Sequence, residues 1–226
     1  LLGWSHPEQK EIFTFEEFIG TFDLKDMSAL SPKFDVTKLE WMNGQYIQSL
    51  SNEKLLEKLN EWLGFCINEK YQGATVYESH WSMENYRQVA DFLSSLMDAD
   101  RLLFIEINKE RIKKFEDLLP LNRFFIDNVE LDEKLLLANK NEEEVKKHLE
   151  WVYTEIENIE TWNLENIKEI EMKVKNKAEE LGWKVGEVFY PIRIAIAASK
   201  ISPPLFESIY LLGKDKAREL LSKSIK

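Results

Sequence analysis

The chain has 226 residues, 44% of them hydrophobic, and a formal net charge of −11. That length and apolar share suffice for a buried core in one to three compact domains and exclude a disordered chain. The negative charge excludes a general nucleic-acid coat, which would hold phosphates through excess lysine and arginine, so any RNA contact has to be local.

The acidity is uneven. Residues 180–226 carry eight Lys/Arg against five Asp/Glu, and Lys109, Arg111, Lys113, Lys114 and Arg123 lie in a stretch of net charge +2. The single cysteine, Cys66, excludes an intramolecular disulfide and fits a reducing compartment. No apolar run approaches the roughly 18 to 20 residues that span a bilayer, and no leader is legible. The expected location is the cytoplasm, with no membrane contact.

In chain order, Thr14-Phe-Glu-Glu17 reads as a capping box opening a short helix over about residues 15–22. Ser28 to Pro32 reads as a loop. Thr37-Lys-Leu-Glu40 repeats the box, and its helix carries Leu39, Trp41 and Met42 and should stop near Asn43-Gly44. Leu55, Leu56, Leu59 and Leu63 recur at helical spacing from Asn52 to Gly64. Residues 71–82 read as a loop, and helical spacing returns from Met83 to Leu96.

Ile107 to Leu119 reads as a helix with Ile112, Phe115, Leu118 and Leu119 on one side, ended or kinked by Pro120. Leu131 to Asn139 predicts a short helix, with a junction at Asn139 to Asn141. Val145, Leu149, Val152, Ile156 and Ile159 predict a longer one over 142–159, and Leu164 to Leu181 continues the pattern up to Gly182. A turn follows, and Val185 to Tyr190 is the one stretch with some strand-like alternation. Ser202 with Pro203 signals a helix start, Gly213 a stop, and Ala217, Leu220 and Leu221 a last amphipathic helix. The fold class is all-α.

Chemistry is sparse. There is no glycine-rich phosphate loop, and His6, His80 and His148 are far apart and show no metal-ligand spacing with Cys66. His6 reads as part of a turn and His148 as lying on an exposed helix face. Acidic pairs such as Glu16-Glu17 suit helix N-termini. No catalytic, cofactor-binding or metal residue is therefore assigned, and the tryptophans read as packing residues.

Arg193 stands apart. It follows Tyr190-Pro-Ile in a run that is otherwise apolar to Ala198, and it reads as lying in the first turn of a helix. A guanidinium there cannot be left dry and unpaired, so it should meet water or an anionic, hydrogen-bonding ligand such as RNA. The structural alternatives are a helix C-terminus, Glu187 or Glu207.

Leu2-Gly-Trp-Ser5, Glu11 to Ile19, Phe34-Asp35 and Lys38 to Ile47 resemble the region after the lysine-rich signature loop of bacterial glutamyl-tRNA synthetases. Pro191-Ile-Arg193, Ser202-Pro-Pro-Leu-Phe206 and Leu211-Leu-Gly213 are similar to that family's C-terminal end. The middle, residues 66–105, matches less well. The resemblance implies a stem-contact region over 1–51 and two helical anticodon-binding subdomains over 52–130 and 131–226.

It further implies a tRNA-binding portion of a class I enzyme that attaches glutamate to tRNA(Glu) with ATP and magnesium. Neither the lysine-rich loop nor the ATP-binding signature lies in this chain, so it alone is expected to be inactive, monomeric and free of cofactor. In the family an arginine matched by Arg193 approaches the anticodon, and Arg111 resembles the one that reads its third base. Lys113, Lys114 and Lys200 join them as candidate RNA contacts. Arg193→Ala is expected to weaken tRNA binding and leave the fold intact. A glutaminyl enzyme is disfavoured because its anticodon region is a β-barrel. The alternative is a helical protein-interaction module that has lost RNA binding.

Overall fold

The computed structural model describes residues 3–28, 34–68, 82–127, 129–138 and 140–225. Among these there is no strand: the architecture is all-α, as the periodicity predicts. The expected loop over 71–82 lies outside the described residues up to Trp81, as does the Ser28–Pro32 loop beyond Ser28. Among the described residues, no helix is long and apolar enough to cross a membrane.

The N-terminal part folds around Trp4, whose indole meets Phe13, Phe18 and Phe22 edge-on at centroid distances of 5.9, 5.4 and 5.8 Å. Helix α1 (Phe15–Thr21) opens where the capping box places it, the Thr14 hydroxyl accepting from the Glu17 N–H at 3.1 Å. Lys10 holds the Glu17 carboxyl below the usual carboxylate range, and the Thr14 N–H adds to the effect.

Helix α2 (Val36–Ser49) corrects two expectations. Its N-cap is Asp35, whose carboxylate accepts from the Lys38 N–H at 3.0 Å, and it runs straight through Asn43-Gly44. Gly44 is buried inside the helix against Ile112 and Lys113, with room left for a β-carbon at ordinary contact distance. Here the Asn43 side chain donates to the Lys113 carbonyl, and tertiary packing carries the helix past the pair.

Helices α3 (Asn52–Ile67), α4 (Met83–Ser95) and α5 (Asp98–Lys109) enclose a first core of Leu55, Leu59, Leu63, Val89, Leu93, Phe104 and Ile105. The expected helix over 107–119 is in fact the end of α5, a turn, a 3-10 segment (Phe115–Asp117) and the start of α6 (Leu118–Ile126). Ile112 is buried on the turn and Leu118 and Leu119 at the start of α6, while Phe115 on the 3-10 segment is half-buried. Asp117 closes that turn by accepting from the Lys113 and Lys114 N–H groups at 2.8 and 3.1 Å. Pro120 sits in the first turn of α6, where a missing N–H costs nothing.

The second core joins α7 (Glu133–Leu137), α8 (Glu142–Glu157), α9 (Leu164–Leu181), α10 (Val185–Ala197), α11 (Leu205–Leu212) and α12 (Lys214–Ile225). Val145, Leu149, Val152 and Ile156 of α8 are fully buried with Ile167, Val174, Ala217 and Leu221. His148 lies on that same face. It is buried, not exposed, and its Nε2–H donates to the Val188 carbonyl at 2.9 Å. The tautomer follows because a carbonyl can only accept.

The strand-like stretch Val185–Tyr190 is the first half of α10, which places Arg193 in the third turn of that helix rather than the first. Ser202 and Pro203 precede α11 rather than start it, since a residue before proline is driven to extended backbone and two prolines follow here. The two cores meet through α5, α6, α10 and α11: Phe125 and Tyr210 pack against both, and Leu211 reaches from α11 into the first.

Candidate functional site

Arg193 projects from α10 onto the loop that joins α10 to α11. One terminal nitrogen, Nη1, donates to the Pro203 carbonyl at 3.1 Å, to the Ser202 carbonyl at 3.4 Å and to the Ser202 hydroxyl. Ser202 is buried and hands the interaction on, its hydroxyl donating to the Pro203 carbonyl at 3.0 Å. The guanidinium thus satisfies carbonyls that the two prolines leave outside any helix. Neither acid considered as a partner is used: Glu187 pairs with Lys140 at 3.2 Å and Glu207 with Lys168 at 2.5 Å.

Nε and Nη2 of Arg193 have no hydrogen-bond partner among the described residues, which leaves three N–H donors unspent on a half-buried group. Burial pushes this guanidinium below arginine's ordinary value, and the positive charge of Arg111 pushes the same way. Two residues 82 positions apart in sequence are therefore close enough to repel each other.

Arg111 sits on the turn after α5, not on a helix, and its side chain is exposed. It makes no ion pair or hydrogen bond through its guanidinium with any described residue, although Glu110, Glu116 and Asp117 are near in sequence. The Arg111 N–H donates to the Asn108 carbonyl at 2.8 Å, which fixes the backbone under an otherwise free charge.

The lysines divide. Lys200 is exposed on the same loop as Ser202, beside Ile201, whose side chain is 70% exposed. Lys113 and Lys114 turn instead toward α2. Lys114 pairs with Glu40 at 3.0 Å and holds that carboxyl below its usual value, with Lys113 adding a smaller attraction. Asn43 of α2 donates to the Lys113 carbonyl.

The arrangement is thus two guanidiniums, one free and one half-spent, beside a stapled loop with an exposed isoleucine and lysine. It can offer hydrogen-bond donors, planar cationic faces and a small apolar contact, a combination suited to unpaired bases. It contains no nucleophile or general base. Sequence reasoning missed Ser202 as the partner of Arg193, because Ser-Pro is also the signature of a helix start.

A family model described as "Anticodon binding domain" matches residues 54–225. The chain is 31% identical over 223 residues to a glutamate–tRNA ligase of Mesoplasma florum, covering 99% of this chain and 41% of that protein. It is 30% identical over 227 residues to the same enzyme of Thermus thermophilus, covering 100% and 42%. A solved glutamate tRNA ligase of Elizabethkingia meningosepticum, in complex with its amino acid, superposes with a TM-score of 0.72 at 25% identity, covering 100% of this chain and 39% of that one. The chain therefore spans about two fifths of the length of the proteins it matches.

Proposed function

Since the chain belongs to the anticodon-binding domain family, we propose that it is the tRNA-recognising portion of a glutamate–tRNA ligase and that the Arg111–Arg193 surface receives the anticodon. The observation that carries the reading is that Arg193 keeps three N–H donors unspent and the exposed Arg111 pairs with no described residue, the two within electrostatic reach of each other on an otherwise acidic chain. Like charges brought together cost free energy unless an anion or an electron-rich partner joins them. A few local contacts suffice, because in a whole ligase other parts of the tRNA would be held elsewhere.

In this reading Arg193, Arg111 and Lys200 face the RNA. Lys113 and Lys114 lie at its edge, where a phosphate has to compete with Glu40. Residues 1–51 form the stem-contact region, and 52–130 and 131–226 the two anticodon-binding subdomains. The whole ligase would attach glutamate to tRNA(Glu) with ATP and magnesium, acting as a cytoplasmic monomer. This chain supplies RNA binding and no catalysis.

The net charge of −11 favours a second reading, a helical protein-interaction module on the same fold. Titration of fluorescent tRNA(Glu) at rising salt separates the two. RNA contact predicts that log affinity falls linearly with log salt, with a slope of roughly −0.7 for each single-stranded phosphate neutralised. Absence of binding at low salt overturns the first reading.

A further inference from the structure

Beneath the Arg111 turn lies a buried polar pair that RNA recognition has not yet used. Asn108, in the last turn of α5, is 1% exposed, and Asn122 of α6 is 2% exposed. Asn122 Nδ2 donates to Asn108 Oδ1 at 2.7 Å and to the Leu118 carbonyl at 2.8 Å. Asn108 Nδ2 donates back to the Phe104 carbonyl at 2.9 Å. At Asn122 the backbone of α6 leaves helical geometry, with φ −124° and ψ 17°.

Stability alone explains the pair poorly. Phe104, Leu118, Leu119 and Phe124, close to the pair in sequence on α5 and α6, are all buried and apolar, and Asn122 Oδ1 has no partner among the described residues. A half-satisfied buried amide is inferior to two packed hydrocarbon side chains. What an amide pair supplies and hydrocarbon does not is a fixed register between two elements.

The register in question is that of the turn between α5 and α6. Its first end hangs from the Asn108 carbonyl through the Arg111 N–H at 2.8 Å, and its far end is closed by Asp117. We propose that the Asn108–Asn122 pair is a positioning device, locking α5 to α6 so that the exposed Arg111 is presented at one fixed place beside Arg193. This rests on the reading of Arg111 as an RNA contact. A long, solvated arginine discriminates among bases only when its stem is fixed, because a mobile one follows any base it meets.

The test uses the whole chain and a set of synthetic anticodon stem-loop RNAs in which each loop base is varied in turn. Arg111→Ala identifies the loop position whose discrimination depends on that side chain. In the double variant Asn108→Leu, Asn122→Leu, discrimination should fall at that same position by about threefold to tenfold. Discrimination at the other positions should hold, and so should the melting temperature. Asn108→Leu alone keeps the Asn122 bond to Leu118 but strands one buried Asn122 N–H, so it should cost more stability than the double variant and is read with its melting curve alongside.

If the asparagine variants keep full discrimination at the Arg111 position, or weaken all RNAs equally in step with lost stability, the positioning role is wrong. If Arg111→Ala itself loses no discrimination, the assignment of Arg111 fails instead, and the positioning role goes with it.

Discussion

Gly44 and Lys113 meet so closely that a β-carbon on the glycine would lie 3.4 Å from Lys113 Cγ and 3.7 Å from its Cα. This contact, the Asn43–Lys113 hydrogen bond and the Glu40–Lys114 ion pair seat α2 on the turn that carries Arg111. Ile47 and the C-cap Leu50 of the same helix also pack on the first core, and Lys109 donates to the Leu50 carbonyl, so α2 is held along its C-terminal half.

A methyl group at Gly44 would make an ordinary van der Waals contact, and alanine favours a helix interior over glycine. Gly44→Ala should therefore be neutral or stabilising by up to about 1 kcal/mol. Gly44→Leu has no such room and should push α2 from the turn at a cost of about 1–3 kcal/mol. Thermal melting of the two variants checks the sign; equal stability would show that α2 is not held there.

The two arginines should behave differently on truncation. Arg111→Ala removes a side chain with no described protein partner, so RNA affinity should drop while melting stays within about 0.5 kcal/mol of the parent. Arg193→Ala also removes the donor to the Ser202 carbonyl and one of the two to the Pro203 carbonyl, so it should cost stability as well, about 1–3 kcal/mol. The fold itself should survive this loss, as the sequence-based expectation has it. Binding titrations paired with melting curves decide; an Arg193→Ala protein that melts like the parent removes the staple.

The sequence discloses helices where two signals agree. Helices α3, α8 and α9 combine side-chain caps at Ser51, Asn141 and Asn163 with unbroken apolar spacing, and all three lie where predicted. It misleads where an element starts without a cap. Met97 and Lys184 give no side-chain cap to α5 and α10, so α5 was hidden behind the 107–119 pattern and α10 began too late.

Local rules also fail where a distant segment decides. Asn43-Gly44 reads as a stop, but Lys113, far along the chain, packs on Gly44 and accepts from Asn43 through its carbonyl, and the helix continues. The site was half legible. An arginine in an apolar run announces itself, whereas its proximity to Arg111 and its use of Ser202 belong to the packing of α10 on the α5–α6 turn and carry no local signal. His148 is a different case: it follows Val145 by three and precedes Val152 by four, so helical spacing already placed it on the buried face.

His148 makes the fold sensitive to mild acid. Burial holds its imidazole below the ordinary value of 6.5, against a smaller opposing effect of the Val188 carbonyl, and Lys177 adds repulsion. Trp151 and Trp183 pack against the ring, and Nδ1 is buried with no partner among the described residues. A folded-state value below the unfolded one means that the unfolded chain binds the extra proton first. Stability should therefore be level above about pH 7 and decline as the pH falls through 6.5. The lowered carboxyls, among them Glu40 and Glu171, reinforce the loss only at lower pH, near and below their ordinary 4.5. His148→Gln keeps a donor for the Val188 carbonyl and does not titrate. Its melting temperature should stay flat from pH 7 to about pH 5.5 while that of the parent falls, and parallel curves for the two proteins would show that the buried imidazole is not the group responsible.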